Sequence, residues 1–222
     1  MKPPVERGPS APAPTVGVGA GAGEKRHPDL ERAQGRRLQV LAAAECCFGR
    51  SGFHGASMAE ISKAAGMSAG HIYNYFDSKD AIIAAFVQQN MERVSAIMLD
   101  LAQQDDPLRA LVEKVDVNVR ESLDPKIWAL PLEIFAEAAR NPAIAALLRE
   151  ADSRSRAQFR VILKEARRRR GLDMDDVLLD GRLETIIAMY QGLHVRALHH
   201  PQLDQGAVIA AFRLAFTALL LH

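Results

Sequence analysis

The chain has few cysteines and no long apolar run. Of its 222 residues only Cys46 and Cys47 are cysteines. Neighbouring side chains on a helix point about 100° apart, so these two thiols cannot easily form a disulfide. Lone thiols without CxxC spacing predict a reducing, cytoplasmic setting. The sequence also has no run of about 18 apolar residues, so we expect no membrane span.

The net charge is also close to zero. The chain carries only +1 at pH 7, so an argument for a nucleic-acid partner has to come from the placement of individual residues. Prolines interrupt the N-terminus where a secretory signal would carry a compact apolar core. Residues 1–28 are rich in Pro, Gly and Ala and predict a disordered tail. Such a tail is either a basic arm along DNA phosphates or a solubilising leader.

Strand patterns are missing too, because no alternation of β-branched residues lasts more than a few positions. Helical periods and caps recur instead, and we count nine helices, so the predicted fold class is all-α. The first helix has an apolar face that includes Val40 and Phe48, and it stops at Ser51-Gly52. Three later helices begin with a proline in the first turn, after Asp106, Asp124 and Asn141.

Two short helices lie between residues 57 and 76. Ser57 and Glu60 have the spacing of a capping box at the start of the first, which ends at Gly66. Ser68 caps the second, which carries Ile72 and Phe76 on one face. A pair of short helices joined by a glycine-containing turn is typical of a helix-turn-helix, whose second helix presents its N-terminal side chains to DNA bases.

The second short helix has the residue types that such a reader needs. Its first residues, from Ser68 to His71, are small or polar, so the backbone can approach DNA. An Asn such as Asn74 can contact adenine with two hydrogen bonds, and a His can donate to guanine. Lys79 opens the next helix, where a cation opposes the helix dipole. A nearby phosphate would offset that effect, but a solvated surface lysine is the alternative.

The segment from Val40 to Phe86 resembles the TetR/AcrR family of repressors. The residues that carry the pattern are Phe48, Gly52, Ser57, Ile61, Ala65-Gly66, Ser68, Gly70, Ile72-Tyr73, Tyr75-Phe76 and Ser78-Lys79-Asp80. Position 57 is Ser where the family more often has Thr, and both offer a hydroxyl. The resemblance implies that Ser57 touches phosphate, that Ala69, Gly70, His71 and Asn74 face bases, and that Tyr73, Tyr75 and Lys79 clamp the DNA backbone.

The segments from Trp128 to Glu150 and from Glu184 to Leu220 resemble the C-terminal part of the BetI-like branch of the same family. The last two helices of the chain are apolar on more than one face, which favours burial against a second copy in a four-helix bundle over an internal position in a monomer. Two DNA half-sites also need two reading helices. We therefore predict a homodimer with an interface that includes Ile186, Met189, Leu193, Phe212, Phe216 and Leu219.

A pocket for a small-molecule effector is expected between the middle helices. Candidate lining residues are Asn118, Trp128, Glu133, Phe135, Glu137, Phe159, Tyr190 and His194. Trp128 with Glu133 or Glu137 could attract an organic cation, whereas the alternative makes the aromatics core residues and the glutamates solvated. No metal-ligand spacing, cofactor motif or catalytic constellation is evident, so we expect neither a metal, a cofactor nor an enzyme.

Together these features predict three regions and one function. Residues 1–28 form the tail, residues 29–86 the DNA-binding domain and residues 87–222 the ligand-binding and dimerisation domain. The expected function is a sequence-specific repressor that a small molecule releases from its operator. The alternative is a helical ligand-binding or adaptor protein whose helix-turn-helix is only structural.

Overall fold

The computed structural model describes residues 26–222, with side chains from Leu30 onward, and this part of the chain is helical and contains no strand. The predicted all-α class is confirmed. The helices are α1 Arg26–Gly55, α2 Met58–Ala64, α3 Ala69–Ile72, α4 Lys79–Ala102, α5 Pro107–Glu113, α6 Val115–Leu123, α7 Pro125–Ala138, α8 Pro142–Arg169, α9 Asp176–His199 and α10 Gln205–Leu221. No helix in residues 26–222 is long and apolar enough to cross a membrane.

The described residues contain ten helices, one more than the sequence predicted, because the segment after Pro107 is two helices. The backbone N–H of Lys114 contacts the carbonyl oxygens of both Ala110 and Val112, which tightens the last turn of α5. A new helix then begins at Val115. The Lys114 ammonium lies 2.9 Å from the Asp100 carboxylate of α4. No glycine or proline marks this break, so the sequence carried no signal for it.

Helix α1 differs from its prediction at the beginning and agrees at the end. It begins at Arg26, so residues 26–28 are helical and not part of a tail, and the rest of the predicted tail lies outside the described residues. A first helical turn tolerates Pro28 because its N–H groups have no partner within the helix. Regular helix ends at Gly52, which has φ 69° and ψ 170°, as the sequence predicted.

The buried residues form two hydrophobic cores. The N-terminal core contains Val40, Cys47, Phe48, Ile61, Ile72, Phe76, Ile82 and Ile83, together with Ile134 of α7 and Ile144 and Ala151 of α8. The C-terminal core contains Leu101, Leu108, Val115, Val119, Phe159, Leu163, Leu183, Ile186, Leu193, Ile209, Phe216 and Leu220. Helices α7 and α8 therefore pack against α1 and α4 and contribute to the core that holds the short helices, and the predicted division at residue 86 falls inside the continuous α4.

Helices α4 and α8 run parallel and connect the two cores. Three contacts show the parallel direction, because residues that follow one another along α4 meet residues that follow one another along α8. Asn141 Nδ2 donates to Asp80 where the two helices begin, Gln158 Nε2 donates to Ser95 within them, and Arg170 pairs with Asp106 after they end. Helix α8 ends where its sequence predicted, at Gly171 with φ 67°, which suits the left-handed residue after a helix.

Candidate nucleic-acid interface

The predicted capping box at the start of α2 is formed. The Ser57 backbone N–H donates to Glu60 Oε2 at 2.8 Å, and the Glu60 N–H donates to Ser57 Oγ at 3.2 Å. The Ser57 hydroxyl also donates to Glu60 Oε2, at 3.1 Å, and the backbone and side-chain hydrogen bonds that Ser57 donates hold the pKa of Glu60 below its usual value. The cap fixes the first residue of α2 and leaves Ser57 exposed at the surface. This matches the position that the resemblance implies for a phosphate contact.

The turn between α2 and α3 is fixed by local and tertiary hydrogen bonds. Gly66 has φ 64°, and the N–H of Met67 returns to the Ser62 carbonyl at 2.8 Å, which is the Schellman pattern. Gln39 of α1 donates from Nε2 to the Ala65 carbonyl at 2.7 Å. The angle between the two short helices is therefore held from α1 as well as by the turn itself.

Helix α3 presents its leading end to solvent and its trailing face to the core. Ile72 and Phe76 are buried against the N-terminal core. The residues predicted to face DNA are exposed, and they are Ser68, Ala69, Gly70, His71, Tyr73 and Asn74. The Ser68 side chain makes no capping hydrogen bond within α3, so its hydroxyl is available to a partner. This exposed end, together with Ser57, forms what we call the reading face.

Arg37 of α1 supports the reading face from behind. Its guanidinium donates from Nη1 to the Tyr75 carbonyl at 3.0 Å and lies 4.2 Å from the centroid of the Phe76 ring. A guanidinium at that distance is attracted by the ring face. Sequence reasoning missed this role because a basic residue near the start of a helix gives no sign of which distant carbonyl it will reach.

His71, Asn74 and Tyr75 contact one another on the reading face. Asn74 Nδ2 lies 3.3 Å from His71 Nδ1, and the Tyr75 hydroxyl lies 3.3 Å from His71 Nε2. The His71 and Tyr75 rings meet edge to face with centroids 5.3 Å apart. Tyr75 is half-buried, whereas Tyr73 is 51% exposed. The three side chains therefore behave as one group and not as independent contacts.

Lys79 contacts the end of α1 in this structure. Its Nζ donates to the Phe53 carbonyl at 2.7 Å and lies 4.6 Å from the centroid of the Phe53 ring. The side chain is half-buried. The Lys79 side chain therefore ties the start of α4 to the residues after Gly52, and the DNA-backbone contact that the resemblance implies for it stays a prediction.

Two of the predicted pocket residues, Glu133 and Glu137 on α7, point toward α1. The Phe53 N–H donates to Glu133 Oε2 at 3.2 Å. Glu137 is buried, and its Oε2 lies 2.9 Å from His54 Nε2 in a close contact that is not aligned as a hydrogen bond. We call these contacts, with that of Lys79, the α1 clamp. Glu133 and Glu137 therefore make these contacts with the end of α1.

The other pocket candidates lie in the layer formed by α6, α7, α8 and α9. Trp128 and Phe159 are buried, Phe135 is exposed, and Asn118, Tyr190 and His194 are half-buried. The Tyr190 ring lies 5.5 Å from both Phe212 and Phe216. Asn118 lies beside the Tyr190 hydroxyl without an aligned hydrogen bond. Burial raises the pKa of Tyr190 and lowers that of His194.

Most residues predicted for the dimer interface are covered by their own chain. Ile186, Leu193 and Phe216 are buried in the C-terminal core, and Met189, Phe212 and Leu219 are half-buried against it. The exposed apolar residues of the same two helices are Val177, Leu178, Val195, Leu198 and Leu214. The three buried residues belong to the core of the protomer, whereas an interface at the three half-buried ones stays a prediction.

The described residues also form two grooves on the protein surface. A groove of about 330 Å³ lies between α1 and α4, and a smaller one of about 150 Å³ lies between α5 and α8. Neither is lined by a predicted pocket residue. Within residues 26–222, no group of three or more His, Cys, Asp or Glu side chains is placed to hold a metal ion.

Comparisons with known proteins agree with this geometry. The sequence profile of "Bacterial regulatory proteins, tetR family" matches residues 40–86, and that of "BetI-type transcriptional repressor, C-terminal" matches residues 106–221. The regulator UidR of Escherichia coli K12 is 37% identical over 117 residues. That match covers 53% of this chain and 59% of UidR, so the chain spans less than two thirds of that relative.

Solved structures show the same fold over most of the chain. GusR of Salmonella enterica is 28% identical with a TM-score of 0.64, covering 84% of this chain and 96% of GusR. A regulator from Saccharomonospora viridis in complex with choline is 21% identical with a TM-score of 0.62, covering 84% and 95%. Members of this family are transcriptional regulators and not enzymes. With its capped helix-turn-helix and a BetI-type profile over more than half of its length, the chain belongs to the tetR family of bacterial regulatory proteins.

Proposed function

We propose that the protein is a transcriptional repressor that binds operator DNA as a homodimer and is released by a small-molecule effector. The observation that carries this proposal is the reading face. Small and polar residues are exposed at the leading end of α3, while Ile72 and Phe76 anchor the same helix in the core. Such a helix can enter a major groove without losing its support.

Each residue of the reading face takes a role that suits its chemistry. The hydroxyls of Ser68 and Tyr73 contact phosphate oxygens, which positions the protein without reading sequence. The Ser57 hydroxyl donates to Glu60 Oε2 at 3.1 Å, so it can contact a phosphate only after it turns away from that carboxylate. Ala69 and Gly70 let the backbone approach the bases; a Cβ built on Gly70 has no neighbouring atom within 4 Å, so the space before the helix is open. Asn74 reads a base edge.

DNA selection by the purified protein tests this function. Fragments bound from a random pool should share a sequence, and the affinity for them should fall steeply with salt because bound phosphates release counterions. Tyr73→Phe should weaken binding to all sequences, while Asn74→Ala should relax the preference at one base position. Weak binding that does not change with salt would favour the adaptor alternative, in which the helix-turn-helix is only structural.

The homodimer is proposed to form through α9 and α10. Exposed apolar side chains such as Leu214, which is 75% exposed, would be covered by the second copy, while Phe216 and Leu193 remain in the core of each protomer. Leu214→Glu should convert the dimer to a monomer in sedimentation velocity. The matched control is Val161→Glu, since Val161 of α8 is also an exposed aliphatic residue, at 68%. Equal behaviour of the two variants would place the interface elsewhere.

The effector is proposed to be polar and uncharged, and to bind beside Trp128, Tyr190 and His194. Trp128 Nε1, the Tyr190 hydroxyl and His194 Nδ1 are buried without a hydrogen-bond partner in the described part of the chain. Such groups are costly unless a partner satisfies them. Burial shifts the pKa of both Tyr190 and His194 toward the uncharged form, and the side chain beside the Tyr190 hydroxyl is the uncharged Asn118. The carboxylates once expected to attract a cation belong to the α1 clamp.

The only tryptophan of the chain gives this idea a direct readout. Choline and 3,3-dimethylbutan-1-ol have the same shape and differ in charge, so they form a matched pair of probes. The neutral alcohol should perturb the Trp128 fluorescence at a lower concentration than choline does. A stronger response to choline, the ligand in the structure of the Saccharomonospora viridis regulator, would show that the site prefers a cation.

Release of DNA is proposed to pass through the α1 clamp. Helix α7 carries Trp128 near its start and Glu133 and Glu137 near its end, so an effector that moves α7 also moves the residues that follow Gly52. Coupling of this kind is typically about 1–3 kcal/mol, which corresponds to a loss of operator affinity of roughly 5- to 150-fold. The effector must prefer one arrangement of the clamp, because tight binding alone shifts nothing.

A further inference from the structure

His71 lies on the reading face between Asn74, which is proposed to read a base, and Tyr75, whose backbone is held by α1. Its Nδ1 lies 3.3 Å from Asn74 Nδ2, and its Nε2 lies 3.3 Å from the Tyr75 hydroxyl. On the other side, the Tyr75 carbonyl accepts a hydrogen bond from Arg37 of α1. A continuous series of contacts therefore runs from α1 through Tyr75 and His71 to Asn74.

The direction of these hydrogen bonds follows from the chemistry of the groups. The Asn74 amide nitrogen can only donate, so His71 Nδ1 must accept and carries no proton. The neutral imidazole then holds its proton on Nε2, which donates to the Tyr75 hydroxyl oxygen. The Tyr75 hydroxyl hydrogen remains free to point outward. This arrangement satisfies all three side chains with one tautomer of His71.

The same arrangement leaves the reading edge of Asn74 intact. An Asn that recognises adenine uses its Oδ1 and one amide hydrogen together, to accept from N6 and donate to N7. The amide nitrogen carries two hydrogens, and the one that points away from Oδ1 is free to reach His71. Without that contact the amide can rotate by half a turn, which exchanges its donor and acceptor.

We propose that His71 is a positioning residue that holds the Asn74 amide in the orientation that selects adenine. This inference rests on the proposed DNA-binding function and differs from the expectation that His71 itself reads a base. The acceptor at Nδ1 is the part of His71 that matters for selectivity. The Nε2 contact with Tyr75 fixes the ring and gives it the tautomer in which Nδ1 accepts.

Two substitutions test the roles of His71 Nδ1 and Nε2 separately. The Oδ1 of an asparagine occupies about the place of a histidine Nδ1, whereas the end of a glutamine side chain occupies about the place of Nε2. His71→Asn therefore retains an acceptor for Asn74, and His71→Gln retains a partner for Tyr75 only. Since His71 is exposed, both variants are expected to fold, which circular dichroism and thermal unfolding would check.

The experiment uses the full chain and the DNA fragments that the wild-type protein selects. Asn74→Ala first identifies the base position that Asn74 reads, and the affinities for adenine and for the other three bases at that position are then compared. His71→Asn should keep the adenine preference, whereas His71→Gln should reduce it by about 3- to 10-fold, the effect of one hydrogen bond. Preferences at the other base positions should not change in either variant.

The possible failures are distinguishable. If the wild-type protein selects no sequence at all, the proposed DNA-binding function fails and this inference fails with it. If the wild type selects a sequence but His71→Asn and His71→Gln have the same effect, the inference is overturned while the function stands. A loss of preference at a position that Asn74→Ala does not affect would also overturn it, because His71 would then read a base itself.

Discussion

Replacing Lys79 by methionine distinguishes a lysine that holds the protein together from one that holds DNA. Lys79 Nζ donates to the Phe53 carbonyl at 2.7 Å, and the side chain lies against the Phe53 ring. Lys79→Met keeps the unbranched stem and its packing on that ring, and it removes the charge and the hydrogen bond. The Phe53 carbonyl then loses its partner at the point where α1 meets α2.

The expected magnitude follows from these contacts. A hydrogen bond from a charged donor contributes about 1.5–3 kcal/mol, and water at this half-buried position reduces that value. We therefore expect Lys79→Met to lower the free energy of unfolding by about 1–2 kcal/mol. For a chain of this size that corresponds to a decrease in Tm of about 2–8 °C. Lys126→Met, at an exposed position on α7, should change stability by less than about 0.5 kcal/mol.

The assay combines thermal unfolding with the salt dependence of DNA binding. A lysine that contacts phosphate contributes about 0.9 to the slope of log affinity against log salt concentration. Since the Lys79 ammonium is already bound to α1, the slope for Lys79→Met should equal that of the wild type. A slope reduced by about 0.9 with unchanged thermal stability would refute this reasoning and restore the phosphate clamp that the sequence predicted.

Three further substitutions test other parts of the structure. Gly52→Ala puts a side chain on a residue with φ 69°, so it should destabilise the fold by about 1–3 kcal/mol in urea unfolding; an unchanged midpoint would argue against the bend at the end of α1. The pKa of Glu165 is lowered to about 2 by Arg168 and its neighbour. The ionised Glu165 therefore stabilises the fold fully above its ordinary pKa of 4.5, and this stabilisation is lost as the pH falls toward 2. Glu165→Gln should make the free energy of unfolding depend less on pH in that interval. Burial lowers the pKa of His194 from 6.5, so wild-type stability should fall as the pH drops below 6.5; His194→Gln should show less of this dependence between pH 7 and pH 5, and identical profiles would contradict the burial.

Local chemistry in the sequence was enough to predict the short helices of the helix-turn-helix. The capping pair Ser57 and Glu60, the left-handed Gly66 and the break at Gly52 each depend on residues within one or two turns, and all appear where the sequence indicated. Hydrophobic periodicity likewise predicted that Ile72 and Phe76 face inward. These features are decided by short-range backbone sterics and hydrogen bonds, which is why a single sequence reveals them.

Only the tertiary structure decided which partners the longer side chains reach. Glu133, Glu137 and Lys79 meet at the end of α1, across separations in sequence of 26 to 83 residues, and no local pattern specifies such encounters. Periodicity shows that a helix has an apolar face; whether that face meets its own core, as at Ile186, or remains exposed, as at Leu214, depends on the packing of every other helix. The sequence thus determined the ends that a cap, a proline or a glycine marks and the apolar side of each helix, because these depend on neighbouring residues. Long-range packing determined the unmarked break between α5 and α6, what covers each apolar side and which polar side chains meet.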